Sequence, residues 1–185
     1  MPSHISQETS KSDQVNGETL HTMLFKQNFD EVAQRFRDFW KQEEKTRIIC
    51  QINIREEHAL RDAFMRHIPD VPRMFDDHML FFEQRKRVLD DTLPVITPNF
   101  GAGFDAGYFG AEVVYGHETS FPRQVMSDVT DLDAVDWSPT NDHTQFFLES
   151  VEYFRKHAWG KALVGLAPLI NPADIAFYLV GADLF

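Results

Sequence analysis

A chain of 185 residues is long enough to bury the core of one domain, and 43% hydrophobic residues with 17 phenylalanines exclude a disordered polymer. The formal net charge of −11 argues against nucleic acid and anionic membrane surfaces as partners, since both demand a basic face. It leaves room for an anionic small-molecule substrate held by a few local arginines.

The single cysteine, Cys50, excludes an internal disulfide and any multi-cysteine metal site, and fits a reduced, cytoplasmic setting. No apolar run is long enough to span a bilayer, and the N-terminus is polar, unlike a secretion signal. The expectation is a cytoplasmic protein with neither metal nor cofactor.

In chain order, residues 1–20 are polar and read as a disordered tail, followed by an α/β domain over 21–185. Phe29, Val32, Ala33, Phe36, Phe39 and Trp40 keep helical spacing, so a helix starts at Phe29, with Asn28 or Asp30 as cap and the aromatic stripe in the core. Arg47 to Ile54 reads as a strand buried on both faces, as parallel strands are. Arg55 to His67 reads as helical, and Pro72 to Asp91 as a longer helix with Phe75, Met79, Phe82 and Val88 inward and Glu83 to Arg87 as a solvated face.

Leu93 to Thr97 is the next strand, and it empties into the stretch that organises the chain, NFGAGFDAGYFGAEVVYGHETSFP. Five of the nine glycines fall between Gly101 and Gly116. A strand running through glycines into a short helix, here Ala102 to Gly110, is a common way to build a ligand-facing loop. The spacing is not the dinucleotide pattern G-x-G-x-x-G, because Gly107 is the next glycine after Gly103. Glu112 to Tyr115 is a second extended segment.

The aspartates between Pro122 and Asp142 lack the glycine and closing glutamate of a calcium loop and read as surface acid. Asn141 to Lys156 is an amphipathic helix, Lys161 to Ala167 a strand, and Asn171-Pro172 the cap and first position of a last helix to Val180. Strands separated by helices, with no antiparallel hairpin between them, give an α/β fold with right-handed parallel crossovers.

Leu93 to Pro122, together with VGLAPLINPADIAFYLVG from Val164 to Gly181, resembles the uroporphyrinogen decarboxylase superfamily, most closely its uncharacterised bacterial members with PNxGxG…GAE…TSxP segments. The likeness runs in order over most of Phe29 to Phe185. The resemblance implies the N-terminal portion of a (β/α)8 TIM barrel, truncated, because a closed barrel takes about 250 residues. It implies a carbon–carbon lyase acting on a porphyrinogen or another polycarboxylate. The alternatives are a methyltransferase relative that works with a corrinoid protein, and a non-catalytic remnant or binding module. A homodimer or a completing chain would close the barrel.

The family's catalytic aspartate has no counterpart at Pro98-Asn99-Phe100-Gly101, and Asp105 falls a few residues later. Barrel enzymes carry their chemistry on loops at the carboxyl ends of strands. That rule selects Asn99, His117 and Glu118 as candidate catalytic groups, and Arg55, Phe100, Gly101 and Gly103 as candidate substrate-binding residues. Arg55 would clamp an anion. His58, His67, His78 and His143 sit in charged or polar surroundings and read as solvated, and none has metal-motif spacing.

Overall fold

Polar caps decide where three of the long helices among the described residues begin. In a computed structural model, which describes residues 14–15, 18–19, 23–42, 48–52, 68–117, 119–167 and 169–184, Asp70 accepts a hydrogen bond from the Arg73 N–H and starts α2, Val71–Arg85. Asn141 accepts from the Thr144 N–H to start α3, Asp142–His157. Asn171 accepts from the Ala173 and Asp174 N–H groups to start α4, Pro172–Val180. Each side-chain oxygen satisfies donors that a helix's first turn leaves orphaned. The first helix, α1 (Phe29–Lys41), differs. Its N-cap residue is Asn28, but that side chain makes no capping bond, and its oxygen is buried without a partner.

Among the described residues, six short strands pair two by two. β1 (Gln14–Val15) and β2 (Glu18–Thr19) are antiparallel and lie within the stretch expected to be a tail. β3 (Val95–Ile96) runs parallel to β6 (Leu163–Val164), with Val95 opposite Leu163. β4 (Val113–Tyr115) and β5 (Ser120–Pro122) form an antiparallel hairpin. Helices and strands are mixed, as an α/β fold requires, and the described strands close no barrel.

The main core lies where α2 and α3 meet β3. Met74, Phe75 and Phe82 from α2, Ile96 from β3 and Phe154 from α3 are all buried there, with Phe100 and Phe104 from the segment after β3. Phe75 sits at the centre, its ring 5.9 Å from Phe154 and edge-on to Tyr153 at 6.0 Å. A smaller cluster beneath α4 joins Leu179 and Val180 to Ala106, Ala111 and Met126.

Several elements differ from the sequence reading. The expected strand from 47 to 54 is irregular over its described part, 48–52, and Ile48 is 86% exposed. Its backbone bonds to carboxylates instead of to a strand: the Cys50 N–H donates to Asp91 at 2.9 Å and the Ile52 N–H to Asp90 at 2.8 Å. Cys50 itself is exposed. Along α1 only Val32 is fully buried, and Trp40 is 77% exposed, so the aromatic stripe is no core face. The extended segment at 112–115 returns at once as the β4–β5 hairpin, an interruption of the parallel pattern that the sequence reading had excluded.

The helix expected to run to Asp91 stops at Arg85, and Arg85 is buried rather than solvated. Its guanidinium bonds to Asp90, to Thr92 Oγ1 at 2.7 Å and to the Ile52 carbonyl at 2.9 Å. Lys26 Nζ donates to the Asp90 carbonyl and, at 3.3 Å, to its carboxylate. Arg35 on α1 pairs with Asp91 at 2.7 Å. Two adjacent aspartates thus tie α1, the end of α2 and residues 50–52 together. Burial alone would raise the Asp90 carboxyl, but hydrogen bonds from Ile52 and Thr92 and the Arg85 charge hold it far below the ordinary carboxylate range.

His78 is buried on the inner face of α2, between the Phe82 and Phe154 rings, rather than solvated. It follows Met74 and Phe75 at helical spacing on the same face, so it enters the core with them. The expected helix at Arg55 to His67 lies outside the described residues.

Candidate functional site

The segment after β3 turns sharply because Asn99 and Gly101 make it turn. Asn99 Oδ1 accepts the Gly101 N–H at 3.1 Å, and Gly101 adopts φ +91°. A Cβ at Gly101 would stand 2.3 Å from the Ser120 backbone nitrogen, so both conformation and space require glycine. The β4–β5 hairpin braces this turn from the side. Ser120 O accepts the Gly103 N–H at 3.1 Å, and Thr119 Oγ1 accepts the Ala102 N–H at 3.1 Å.

The short helix expected over Ala102 to Gly110 is a 3₁₀ helix, Phe104–Phe109. At three residues per turn, residues three apart lie above one another, so Asp105 and Tyr108 share a face. That face opens on a cleft of about 300 Å³, also lined by the Asn99 to Ala102 turn. Thr119 of the hairpin, Phe147 of α3, and Ala167 and Ile170 after β6 complete its walls. The cleft therefore lies at the carboxyl ends of two adjacent parallel strands, where α/β folds place their ligands.

Its wall is aromatic. Phe100 and Phe104 lie 4.7 Å apart, Phe104 meets Tyr108 edge-on at 5.6 Å, and Tyr108 meets Phe147 at 6.1 Å and 90°. Asp105 is the one charged group among the described lining residues, and it is only 8% exposed. Its Oδ2 accepts the Ile170 N–H at 2.9 Å, which ties the 3₁₀ helix to the segment after β6. Burial, with the negative charge of Asp105 and the neighbouring Tyr115 adding to it, raises the Tyr108 phenol well above its ordinary value, so it stays a neutral hydroxyl.

His143 stands behind this wall. Its Nε2–H donates to the Phe104 carbonyl at 2.8 Å, and its ring lies 4.0 Å from that of Phe104. Burial lowers its pKa, against the opposing effects of that hydrogen bond and of Asp105. The expectation that His143 is solvated is therefore corrected: it is half-buried, and Gly107 leaves room for it, since a Cβ there would come within 2.3 Å of the imidazole.

Of the sequence-derived candidates, Asn99, Phe100 and Gly101 line the cleft. Asn99 spends its side-chain oxygen on the turn, so its clearest role is to shape the loop. Gly103 sits one step away, packed against Pro122 of the hairpin. His117 is exposed at the hairpin turn and is not among the residues lining the cleft. Glu118 and Arg55 lie outside the described residues.

Sequence reasoning did not assign Tyr108, Phe147 or Ile170 to the site. The one local signal was the spacing of Asp105 and Tyr108, which selects a common face only once the helix is known to be 3₁₀. Among the described residues, no group of three histidine, cysteine or acidic side chains could hold a metal ion, and no helix is long and apolar enough to cross a membrane.

Fold and site together describe a mixed α/β protein with an aromatic, carboxylate-bearing cleft at the end of a parallel strand pair. No family model, curated protein or solved structure matches the chain.

Proposed function

We propose that this chain carries the substrate cleft of a cytoplasmic enzyme akin to uroporphyrinogen decarboxylase, a carbon–carbon lyase that removes CO2 from a porphyrinogen or another ring-bearing polycarboxylate. In this reading β3 and β6 belong to a (β/α)8 barrel, whose remaining strands come from a second copy or a completing chain. The observation that carries it is the Asp105 carboxylate, set in an aromatic cleft at the carboxyl ends of two parallel strands. Asn99 occupies the place where the family has its acid and cannot hold a negative charge, whereas Asp105 can.

The chemistry needs such a group. A proton added to an electron-rich pyrrole carbon makes the ring cationic. The electron pair of the adjacent C–CO2 bond then flows into the ring and CO2 departs. The side-chain carbon takes up a proton, and the ring gives back the one it received. A carboxylate held against the ring favours its cationic form over the neutral substrate, and so lowers the barrier selectively. The Ile170 N–H holds Asp105 in place, and Phe100, Phe104 and Phe147 line the same cleft. Arg55 is the residue that the resemblance assigns to the substrate's peripheral carboxylates.

The test is CO2 release from uroporphyrinogen-class substrates by the full chain, with Asp105→Asn alongside. The expected result is turnover that falls by about 10²-fold in the variant, the usual cost of removing one preorganised charge-stabilising group. Porphyrinogen binding without CO2 release would overturn the lyase reading and leave a binding module.

A further inference from the structure

We infer that Asn99 and Thr119 form a pair of hydrogen-bond donors in the cleft, placed to take an uncharged carbonyl oxygen of a flat ring ligand. The inference rests on reading the cleft as a ligand site, as the proposed function does, but it needs no decarboxylation.

Two consecutive backbone amides set the geometry. The Gly101 N–H donates to Asn99 Oδ1 and the Ala102 N–H to Thr119 Oγ1, each at 3.1 Å. A backbone N–H can only donate, so the oxygen end of the Asn99 amide faces Gly101 and its Nδ2 end is left for another partner. A hydroxyl that accepts from an amide likewise keeps its own proton to give. Neither the Asn99 Nδ2 group nor the Thr119 hydroxyl proton finds an acceptor among the described residues, and both residues line the cleft. Accepting one bond polarises each group and makes its other end a better donor. Gly101 lets the two stand together: a Cβ there would lie 2.8 Å from Thr119 Oγ1 and push the hydroxyl off the turn.

The rest of the lining decides which acceptor fits. Both donors are neutral, and no lysine or arginine is among the described lining residues. Asp105 lines the same cleft and the whole chain carries −11, so a carboxylate entering here meets like charge and gains no cation. A carbonyl oxygen has two lone pairs and accepts from both donors without that cost. Phe100, Phe104, Tyr108 and Phe147 line the same space, and aromatic walls favour a flat π-bearing body behind the carbonyl. At about 300 Å³ the cleft is at the small end of ligand pockets, which suits one ring or a part of a larger system. The substrate proposed above is thereby narrowed. A porphyrinogen offers N–H groups and carboxylates but no uncharged carbonyl, so a polycarboxylate with a ring carbonyl fits the donor pair better.

The experiment compares acetophenone with α-methylstyrene, flat molecules of one shape in which a carbonyl oxygen is exchanged for a methylene. Amide chemical-shift titrations on the full chain give both affinities, for the wild type and for three variants. Asn99→Asp keeps the acceptor for the Gly101 N–H but has no Nδ2 donor. Thr119→Val removes the hydroxyl, and Thr119→Ser keeps it. The ratio of the two affinities cancels what the ring alone contributes. That ratio is expected to fall about fivefold from its wild-type value in Asn99→Asp and in Thr119→Val, the scale of one neutral hydrogen bond, and to survive in Thr119→Ser. Should Asn99→Asp displace the Gly101 amide resonance, and so disturb the turn itself, the two Thr119 variants decide. An unchanged ratio in the variants that lose a donor would overturn the inference. So would acetophenone shifts lying away from Gly101 and Ala102, or binding of neither probe. A donor-dependent carbonyl preference without CO2 release sinks the lyase reading and leaves this one standing. CO2 release with an unchanged ratio does the reverse.

Discussion

Replacing Asp90 with asparagine tests whether the buried ion network holds the N-terminal third of the chain to the rest. The native carboxylate accepts the Ile52 N–H at 2.8 Å, the Thr92 N–H at 3.1 Å and the Thr92 hydroxyl at 2.7 Å, besides Lys26 and Arg85. Asparagine keeps the shape but removes the charge, and it turns one acceptor into a donor that faces other donors. Lys26 and Arg85, 5% and 9% exposed, then lose the Asp90 charge from a buried setting. Breaking a buried pair in this way costs about 3–5 kcal/mol. Urea unfolding followed by circular dichroism at neutral pH measures the loss.

The same variant changes the acid response. Because the folded Asp90 carboxyl holds its proton less readily than the unfolded one, near 3.8, the stabilisation is complete above that value. It drains away as the pH falls through the lower folded value. The wild type is therefore expected to lose stability below about pH 4 more steeply than Asp90→Asn. A variant within about 1 kcal/mol of the wild type, with the same acid slope, would refute the reasoning and mark the cluster as solvated.

Gly101→Ala is expected to destabilise by at least about 1–2 kcal/mol from its left-handed backbone alone, with the clash at Ser120 adding to this; denaturant midpoints measure it. It should also displace the amide resonances of Ser120 and Ala102, since hairpin and turn are braced together there. Phe154→Ala removes a side chain with no exposed surface from the main core and is expected to cost about 3–5 kcal/mol in the same assay. His78, whose pKa burial lowers despite its bond to the Met74 carbonyl and the nearby Asp77, is expected to titrate below 6.5 when followed by its imidazole proton resonances. Its neutral form belongs to the folded state, so stability falls as the pH drops below 6.5.

The local signals that the sequence carried were those that need no partner. Asn141 and Asn171-Pro172 announced their helices because a cap acts on the next three residues of its own chain. The amphipathic helix read from Asn141 to Lys156 is α3, which packs Phe146, Phe147 and Phe154 inward, and Leu93 to Thr97 contained β3. The turn after β3 was legible as a glycine-rich turn because left-handed backbone, here at Gly101, favours glycine. The apolar run 48–52 misled because a short hydrophobic stretch has no periodicity that separates a strand from a loop. What decided it was two carboxylates forty residues away, which took the N–H groups a neighbouring strand would have taken.

By itself, then, the sequence determined where the α2, α3 and α4 helices start and that the chain after β3 must turn through glycine. Only the tertiary structure decided what that turn faces. Asp105, Tyr108, Phe147 and Ile170 come from three separate segments, and no spacing along the chain encodes their meeting. The 3₁₀ geometry aligned the first two, the packing of α3 delivered the third, and pairing of β6 with β3 delivered the fourth. A buried carboxylate in an aromatic cleft is a property of that meeting, because burial exists only once distant segments have packed.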